Sequence, residues 1–213
     1  MFGDGALTFR EFAMREPLPL ATIHDAVLDF LRGRDDAALY GAQAVNAYVD
    51  EPRMTQDVDI MSTRGEALAE EIRRFLNERF KIATRIGTVR YGIGYRIYQV
   101  RKPKNRHLVD VRPVDALPVT QRVDEVLVLA PPQLIAAKIL STLGRSKTAK
   151  GLVDGADLRR LLLQFPELKQ RTGPVRECID EAAGTRDHQK AIDAWQSLVD
   201  EDIQPEDDAD EFQ

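Results

Sequence analysis

The hydrophobic periodicity of this 213-residue chain changes once, at Pro131-Pro132, and that change limits the folds that the chain can adopt. Before the two prolines, short alternating or apolar runs of strand length lie between segments with helical spacing. After them, apolar residues recur at helical spacing alone. The pattern predicts an α+β fold, with a mixed β-sheet core and flanking helices over residues 1–130 and an α-helical domain over residues 131–199.

The last stretch of the sequence, residues 200–213, holds eight acidic residues and no basic one. The whole chain has 30 Lys and Arg against 35 Asp and Glu, a formal charge of -5. Without this stretch, 30 basic residues face 27 acidic ones (35 - 8), which leaves a charge of +3. We expect a disordered, solvated acidic tail. The alternative is that the tail mimics a nucleic acid within the molecule.

Several features of the sequence exclude whole classes of protein. No run approaches the roughly 18 consecutive apolar residues of a membrane-spanning helix, and residues 1–15 mix charged with apolar positions instead of forming a signal-peptide core. Cys178 is the one cysteine, which excludes an intramolecular disulfide and a cysteine-based zinc site. We expect a cytoplasmic protein with no membrane partner.

The residues before Pro131 predict alternating helices and strands. Gly41 separates a first apolar run from an Ala-rich helix, and Thr63 and Glu66 have the spacing of a capping box. Helices are predicted over residues 20–32, 41–47 and 64–79. Strands are predicted over residues 37–40, 57–62, 81–86, 94–101 and 107–112, with a Val-rich segment at 123–129.

One predicted strand carries two acidic residues that suit metal chemistry. Because successive side chains point to opposite faces, Asp57 and Asp59 share one face while Val58 and Ile60 enter the core. Two carboxylates this close repel unless solvent or a divalent cation neutralises them, and Mg²⁺ prefers hard oxygen ligands. Asp110 is the obvious third ligand, and three carboxylates could hold two metal ions about 3.5 to 4 Å apart. The alternative is an ordinary solvent-facing strand.

Gly41 lies where a strand passes into a helix, a position that favours phosphate binding because glycine allows close approach to free backbone N–H groups. A simple tight turn is the alternative. The segment Leu39-Tyr40-Gly41-Ala42-Gln43-Ala44, followed by Arg53-Met54-Thr55-Gln56-Asp57-Val58-Asp59-Ile60, resembles the polymerase-β-like nucleotidyltransferase superfamily. More narrowly, it resembles the abortive-infection (AbiEii-type) toxin nucleotidyltransferases and their relatives.

The resemblance continues along the chain. It covers His107-Leu108-Val109-Asp110-Val111, Leu134-Ile135-Ala136-Ala137-Lys138-Ile139, and Arg145 with Asp154-Gly155-Ala156-Asp157-Leu158. It implies a nucleotidyltransferase core in which three residues, Asp57, Asp59 and Asp110, are catalytic and ligate the metal. Asp110 would also assist deprotonation of the acceptor hydroxyl.

The same resemblance implies a nucleotide-binding set and a set of residues around it. The nucleotide-binding residues would be Gly41, Ala42 through its backbone N–H, Arg53, Thr55 and Lys138. The alternatives are that Arg53 pairs with one of the strand carboxylates and that Lys138 braces the site. The surrounding residues would be Arg145, Lys150 and Asp157, where Asp157 could instead pair with Arg145 or Lys150 to dock helices.

The implied function is the Mg²⁺- or Mn²⁺-dependent transfer of a nucleoside monophosphate from a nucleoside triphosphate to an acceptor hydroxyl of RNA or protein, in toxin–antitoxin or phage-defence biology. An RNA acceptor would suit the acid-free basic stretch Arg85–Arg106, which includes Tyr91, Tyr95 and Tyr98. A cognate antitoxin is a further expected partner. The alternatives are a catalytically silent binding module and a small-molecule (antibiotic) nucleotidyltransferase. We interpret His107 as a strand residue, not a base.

Overall fold

The computed structural model describes residues 18–89, 93–182, 184 and 187–205. Three sequence predictions fall outside these residues: the charged N-terminal segment, the contribution of Arg90 and Tyr91 to the basic stretch, and the acidic tail from residue 206 onward. Within the described residues, no helix combines the length and apolar character needed to cross a membrane.

The described residues form helices and strands in the predicted order as far as residue 113. The helices are α1 Leu20–Leu31, α2 Gly41–Asn46, α3 Gly65–Phe80, α4 Pro131–Thr142, α5 Ala149–Gln164, α6 Pro174–Ala182 and α7 His188–Asp200, with a 3-10 turn at Pro166–Leu168. The strands are β1 Ala37–Tyr40, β2 Val58–Ser62, β3 Thr84–Val89, β4 Gly94–Gln99, β5 Arg106–Pro113, β6 Thr120–Val123 and β7 Val126–Leu129.

All seven of these strands join one sheet in the order β3-β4-β5-β2-β1-β7-β6. The pairs β2–β5 and β1–β7 are parallel, and the other pairs are antiparallel, so the sheet is mixed. The chain divides into two compact units at the junction between Ala130 and Pro131, and the second unit is helical in its described part. The predicted α+β class is confirmed.

Helix α3 shows how the core of the first unit is built. Leu68, Ile72 and Leu76 recur at helical spacing and are fully buried, and the helix packs on strands β3, β4 and β5. The predicted capping box at its start does not form. The N-cap is Arg64, whose backbone N–H donates to Ser62 Oγ, and no side chain caps the helix. The hydroxyl of Ser62, the last residue of β2, therefore holds the N-cap residue in place.

The Val-rich segment is a hairpin, whereas the sequence predicted a single run. Val123 pairs with Val126, so the turn has two residues, Asp124 and Glu125, both with positive φ (47° and 65°). Such turns normally use Asn or Gly, which tolerate the left-handed region. Two acidic residues gave no recognisable turn signal, and the hairpin was missed for that reason.

Candidate active site

The central row of the site crosses four neighbouring strands. Tyr40 on β1 is paired with Asp59 on β2, Asp59 with Asp110 on β5, and Asp110 with Arg96 on β4. Residues that are directly opposite project from the same face of a sheet. The parallel pairing of β2 and β5 thus places two of the predicted carboxylates side by side, next to the strand that leads into α2.

The third predicted carboxylate, Asp57, lies one residue before β2. Val58 and Ile60 are fully buried, whereas Asp57 and Asp59 are partly accessible, so the alternation along this strand is as expected. Val109 and Val111 on the neighbouring strand β5 are buried as well. The polar row therefore lies on a rigid support of packed apolar residues.

His107 belongs to the site, whereas the sequence predicted only a strand residue at this position. Regular alternation on β5 would send His107 and Asp110 to opposite faces. Between Ile97 and Tyr98, however, the register shifts: Ile97 pairs with Val109 but Tyr98 pairs with His107, which leaves Leu108 as an extra residue. Such a β-bulge redirects the side chains that follow it. It turns His107 to the carboxylate face.

The imidazole of His107 lies between two carboxylates. Its Nδ1 is 3.0 Å from Asp57 Oδ2, and its Nε2 is 2.8 Å from Asp110 Oδ1. Its ring also lies against Tyr98, with 5.7 Å between the ring centroids. Both ring nitrogens face carboxylate oxygens, and this arrangement is satisfied by a doubly protonated, charged imidazolium.

Arg96 holds Asp110 from the other side. Its Nε donates to Asp110 Oδ1 and its terminal NH2 donates to Asp110 Oδ2, both at 2.6 Å. This two-pronged geometry is the strongest that arginine makes with a carboxylate. The pair fixes the plane of the Asp110 carboxylate, and Arg96 is a second site residue that the basic-stretch interpretation did not single out.

The close contacts change the acidity of these groups. Burial disfavours the charged form of His107, but its hydrogen bonds to Asp110 and Asp57 outweigh burial and raise the pKa to about 9. Burial likewise disfavours ionised Asp110, yet the bonds from Arg96 and His107 lower its pKa to about 2. The pKa of the Tyr40 hydroxyl is raised, first by burial and then by the negative charge of Asp59 and Asp110. Asp110 is therefore ionised throughout the physiological pH range.

Gly41 and Asp59 are in close contact. Gly41 has φ +71°, in the left-handed region, and a Cβ on it would overlap Asp59 Oδ2 and lie 2.8 Å from Asp59 Cγ. Glycine is required here both by the backbone conformation and by the space that the carboxylate occupies. The turn into α2, a helix of six residues, is thus built around Asp59.

The loop before β2 is tied to α2 by the side chains of Gln43 and Asn46. Gln43 Nε2 donates to Thr55 Oγ1 at 2.9 Å. Asn46 Nδ2 donates to the Arg53 carbonyl at 2.7 Å, and the Arg53 backbone N–H donates to Asn46 Oδ1 at 3.1 Å. The predicted nucleotide-binding residues Arg53 and Thr55 are consequently held next to the glycine turn and its half-buried Ala42.

The remaining predicted residues lie in the helical unit. Lys138 on α4 is buried, and its Nζ donates to Asp154 Oδ1 at 2.9 Å and to Asp157 Oδ2 at 2.6 Å on α5. Arg145 pairs with Asp154 at 2.7 Å, and Lys150 is exposed. Asp157 is thus an ionic partner of Lys138, and the pair docks two helices, as the alternative interpretation of Asp157 expected of a pair with Arg145 or Lys150.

The basic stretch divides into residues with different surroundings. Arg85 stacks on the Tyr98 ring, with its guanidinium carbon 5.4 Å from the centroid, and Arg106 donates to the Leu18 carbonyl. Arg101, Lys102 and Lys104 are exposed together on the turn between β4 and β5. Tyr95 reaches Glu66 at 3.5 Å.

The residues of the site fit a divalent metal ion. Within the described part of the chain, Asp57, His107 and Asp110 form the one group whose ligand atoms all lie within 4.8 Å of one another. Two carboxylates and an imidazole are common metal ligands, and Asp110 is already ionised. Asp59, the other predicted ligand, packs against Gly41 outside this group.

The pKa of His107 predicts a pH-dependent stability for the metal-free protein. The folded-state pKa of about 9 exceeds the unfolded value of about 6.5, so folding is favoured by proton binding. This contribution is complete below pH ~6.5 and is lost as the pH rises through about 9. We expect the thermal midpoint measured in chelator to fall over that interval.

The comparison that isolates the effect uses two histidine variants. His107→Gln should show a smaller fall than the wild type. His188→Gln, which removes an exposed histidine 2.8 Å from Asp180, should retain the wild-type fall. If the thermal midpoints of the wild type and His107→Gln fall equally as the pH rises, the role assigned to the bridging imidazole is contradicted.

Comparison with known proteins adds a family and a fold. A family model described as nucleotidyl transferase AbiEii toxin, type IV TA system, matches residues 26–213. The Megavirus polyadenylate synthase structure aligns with a TM-score of 0.54 and 14% identity, over 69% of this chain and 32% of that chain. This chain thus spans about a third of the length of that structure.

A second solved structure is an antigenic nucleotidyltransferase-like protein from Paracoccidioides brasiliensis. It is 19% identical, with a TM-score of 0.46, over 82% of this chain and 92% of that chain. Comparison with curated proteins gave no match. At these identities, the likeness to the polyadenylate synthase shows that the fold is shared.

Proposed function

We propose, because the chain belongs to the AbiEii family of nucleotidyl transferase toxins, that it moves a nucleoside monophosphate from a nucleoside triphosphate to an acceptor hydroxyl with a divalent metal ion. Family membership makes the enzyme class nucleotidyltransferase and confirms the resemblance found in the sequence. The metal, the acceptor and the role as a toxin are the parts that we propose.

The observation that carries the proposal is the shared row of β1, β2 and β5. It brings the Asp59 and Asp110 carboxylates next to each other, beside a glycine turn that only glycine can form. An ordinary solvent-facing strand needs no such neighbour and no such turn. Acidic groups beside a glycine turn suit a metal-bound triphosphate, because carboxylates can hold the metal ion and glycine lets the phosphates approach the backbone N–H groups closely.

Each residue has a proposed task in the transfer. Asp57, Asp59 and Asp110 would hold Mg²⁺ or Mn²⁺, which when bound neutralises charge on the reacting phosphates and activates the attacking oxygen. The low pKa of Asp110 favours metal ligation over proton transfer, since a carboxylate that is ionised down to about pH 2 is a weak base. Arg96 keeps that carboxylate in one orientation.

The nucleotide would lie over the glycine turn. Gly41 and the Ala42 N–H would contact the triphosphate, and Arg53 and Thr55 would face it from the loop that Asn46 anchors. For Lys138 the contacts support bracing, because its ammonium is buried between two carboxylates. Arg145 and Asp157 belong to the same brace, and exposed Lys150 remains a proposed surrounding residue.

The acceptor and the partner follow from charge and from the family. An RNA acceptor is supported by the exposed residues Arg101, Lys102 and Lys104, which lie on the turn that leads into the Asp110 strand. Clustered cations of this kind bind a phosphate backbone. A cognate antitoxin is proposed because the family description places its members in type IV toxin–antitoxin systems.

The test is transfer of label from each nucleoside triphosphate to RNA or protein in the presence of Mg²⁺ or Mn²⁺. We expect Asp57→Asn and Asp59→Asn each to lower the rate by at least about a hundredfold, because each removes a charge that holds the metal. Asp115→Asn, at an exposed position shortly after β5, is the matched control and should transfer at the wild-type rate. No transfer by the wild type, or full transfer by the two site variants, refutes the proposal.

A further inference from the structure

We infer that His107 is a nitrogen ligand of the metal site, and that the site therefore prefers Mn²⁺ and similar transition-metal ions over Mg²⁺. This inference rests on the proposed function, because it describes the same site. It is carried by the placement of the imidazole between Asp57 and Asp110, which the family resemblance of the sequence did not assign.

The backbone supplies the first reason. The β-bulge at Leu108 redirects His107 onto the carboxylate face, where regular pairing would have turned it away. Tyr98, its cross-strand neighbour, packs against the ring. Arg85 in turn stacks on the Tyr98 ring. The β-bulge and the Tyr98 ring therefore hold the imidazole in place.

Distances supply the second reason. One nitrogen of His107, one oxygen of Asp57 and one oxygen of Asp110 all lie within 4.8 Å of one another. Ligand atoms that share one metal ion at about 2.0 to 2.2 Å must lie within about 4.4 Å, so the three atoms must move closer and the ligating nitrogen of His107 must release its proton to solvent when the metal binds. The Asp59 carboxylate packs against Gly41 and lies outside this group of three.

The ligand types decide which metal is preferred. Mg²⁺ selects oxygen ligands, and imidazole nitrogen suits the first-row transition-metal ions; Mn²⁺ is the member of that series that most favours oxygen, but it accepts a nitrogen ligand more readily than Mg²⁺ does. A set of two carboxylates and one imidazole should bind Mn²⁺ more tightly, relative to Mg²⁺, than three carboxylates would. The preference for Mn²⁺ over Mg²⁺ should therefore decrease when the nitrogen is removed.

The test is direct Mn²⁺ binding to the full chain, followed by electron paramagnetic resonance, with Mg²⁺ as competitor. In the wild type we expect electron spin-echo modulation from a directly bound ¹⁴N, which changes when the histidines are labelled with ¹⁵N. His107→Phe keeps an aromatic ring against Tyr98 and should lose this modulation. Its Mn²⁺ affinity should fall at least about tenfold, more than its Mg²⁺ affinity falls.

His188→Phe is the matched control, because it removes another histidine that contacts an aspartate, Asp180, at 2.8 Å. It should keep both the modulation and the affinity. If His107 is only a positive group that competes with the metal, His107→Phe will raise the Mn²⁺ affinity, and that outcome overturns the inference. The ¹⁴N modulation of the wild type tests whether a histidine binds the metal, whether or not the variant folds.

The failure of this inference is distinguishable from the failure of the proposed function. Mn²⁺ that binds without ¹⁴N modulation, together with metal-dependent transfer, overturns the histidine ligand and leaves the transfer proposal standing. Absence of any Mn²⁺ binding together with transfer in chelator overturns both.

Discussion

Replacing Lys138 with methionine is expected to lower the free energy of unfolding by about 3 to 5 kcal/mol. The ammonium lies between Asp154 and Asp157, and the side chains of Lys138, Asp154 and Asp157 are 6%, 7% and 0% exposed. Methionine matches the length of the lysine stem but leaves two carboxylates in a buried place without their main counter-charge. Uncompensated buried charge is what makes the change costly.

Two further variants separate the charge effect from packing. Adding Asp154→Asn and Asp157→Asn to Lys138→Met removes the stranded charges with little change of shape, so part of the lost stability should return. Lys190→Met breaks an exposed pair with Asp187, at 3.3 Å with 66% and 53% exposure, and should cost no more than about 0.5 kcal/mol. Urea unfolding of each variant gives the values.

The same variants distinguish the two roles considered for Lys138. If it only braces the helical unit, the triple variant should transfer nucleotides near the wild-type rate at a temperature where it is folded. If Lys138 also reaches the nucleotide, the rate will stay low after stability has been restored. A Lys138→Met protein as stable as the Lys190→Met control would contradict the buried-charge argument itself.

The predictable part of the fold was the part encoded by local pattern. Val58 and Ile60 alternate with Asp57 and Asp59 within four consecutive residues, and the helical spacing of Leu68, Ile72 and Leu76 lies within one helix. Such patterns report on burial directly, because each residue type matches the face it occupies. The fold class followed from them, the family resemblance rested on the motifs around Gly41, Asp57 and Asp59, and both are confirmed.

The unpredicted part of the site depends on registers between strands. His107 faces Asp110 only because one residue of β5 is unpaired, and Arg96 meets Asp110 only because β4 and β5 are paired at that position. The spacing of apolar and polar residues predicts neither contact, because a β-bulge interrupts the regular alternation of a strand. The partners of Lys138 lie 16 and 19 residues away for the same kind of reason. Packing of two helices, not the sequence near Lys138, selects them.

Replacing Gly41 with alanine is the second change for which we expect a large effect, a loss of about 2 to 5 kcal/mol of unfolding free energy. Two costs add. The left-handed φ of +71° costs an L-residue about 1 to 2 kcal/mol. The new Cβ also overlaps the Asp59 carboxylate, and pushing that group aside costs about 1 to 3 kcal/mol more.

Gly33 offers a control that isolates the first cost. It has the same φ of +71°, but nothing lies within 4 Å of a Cβ built on it. Gly33→Ala should therefore lower the free energy of unfolding only by the cost of backbone strain, about 1 to 2 kcal/mol, and should transfer nucleotides like the wild type. In an Asp59→Ala background, Gly41→Ala should cost less than in the wild type, because the overlapping carboxylate is gone, but more than Gly33→Ala, because the Cβ of residue 59 remains 3.0 Å from the new methyl group.

The activity of Gly41→Ala then tests the link between the turn and the carboxylate. Because the methyl group displaces Asp59, transfer should fall to the level of Asp59→Asn even at temperatures where the variant is folded. A variant that loses stability but keeps its transfer rate would mean that Asp59 can leave the glycine turn without consequence for the reaction. Equal unfolding free energies for Gly41→Ala and Gly33→Ala would mean that the carboxylate exerts no steric demand on this turn.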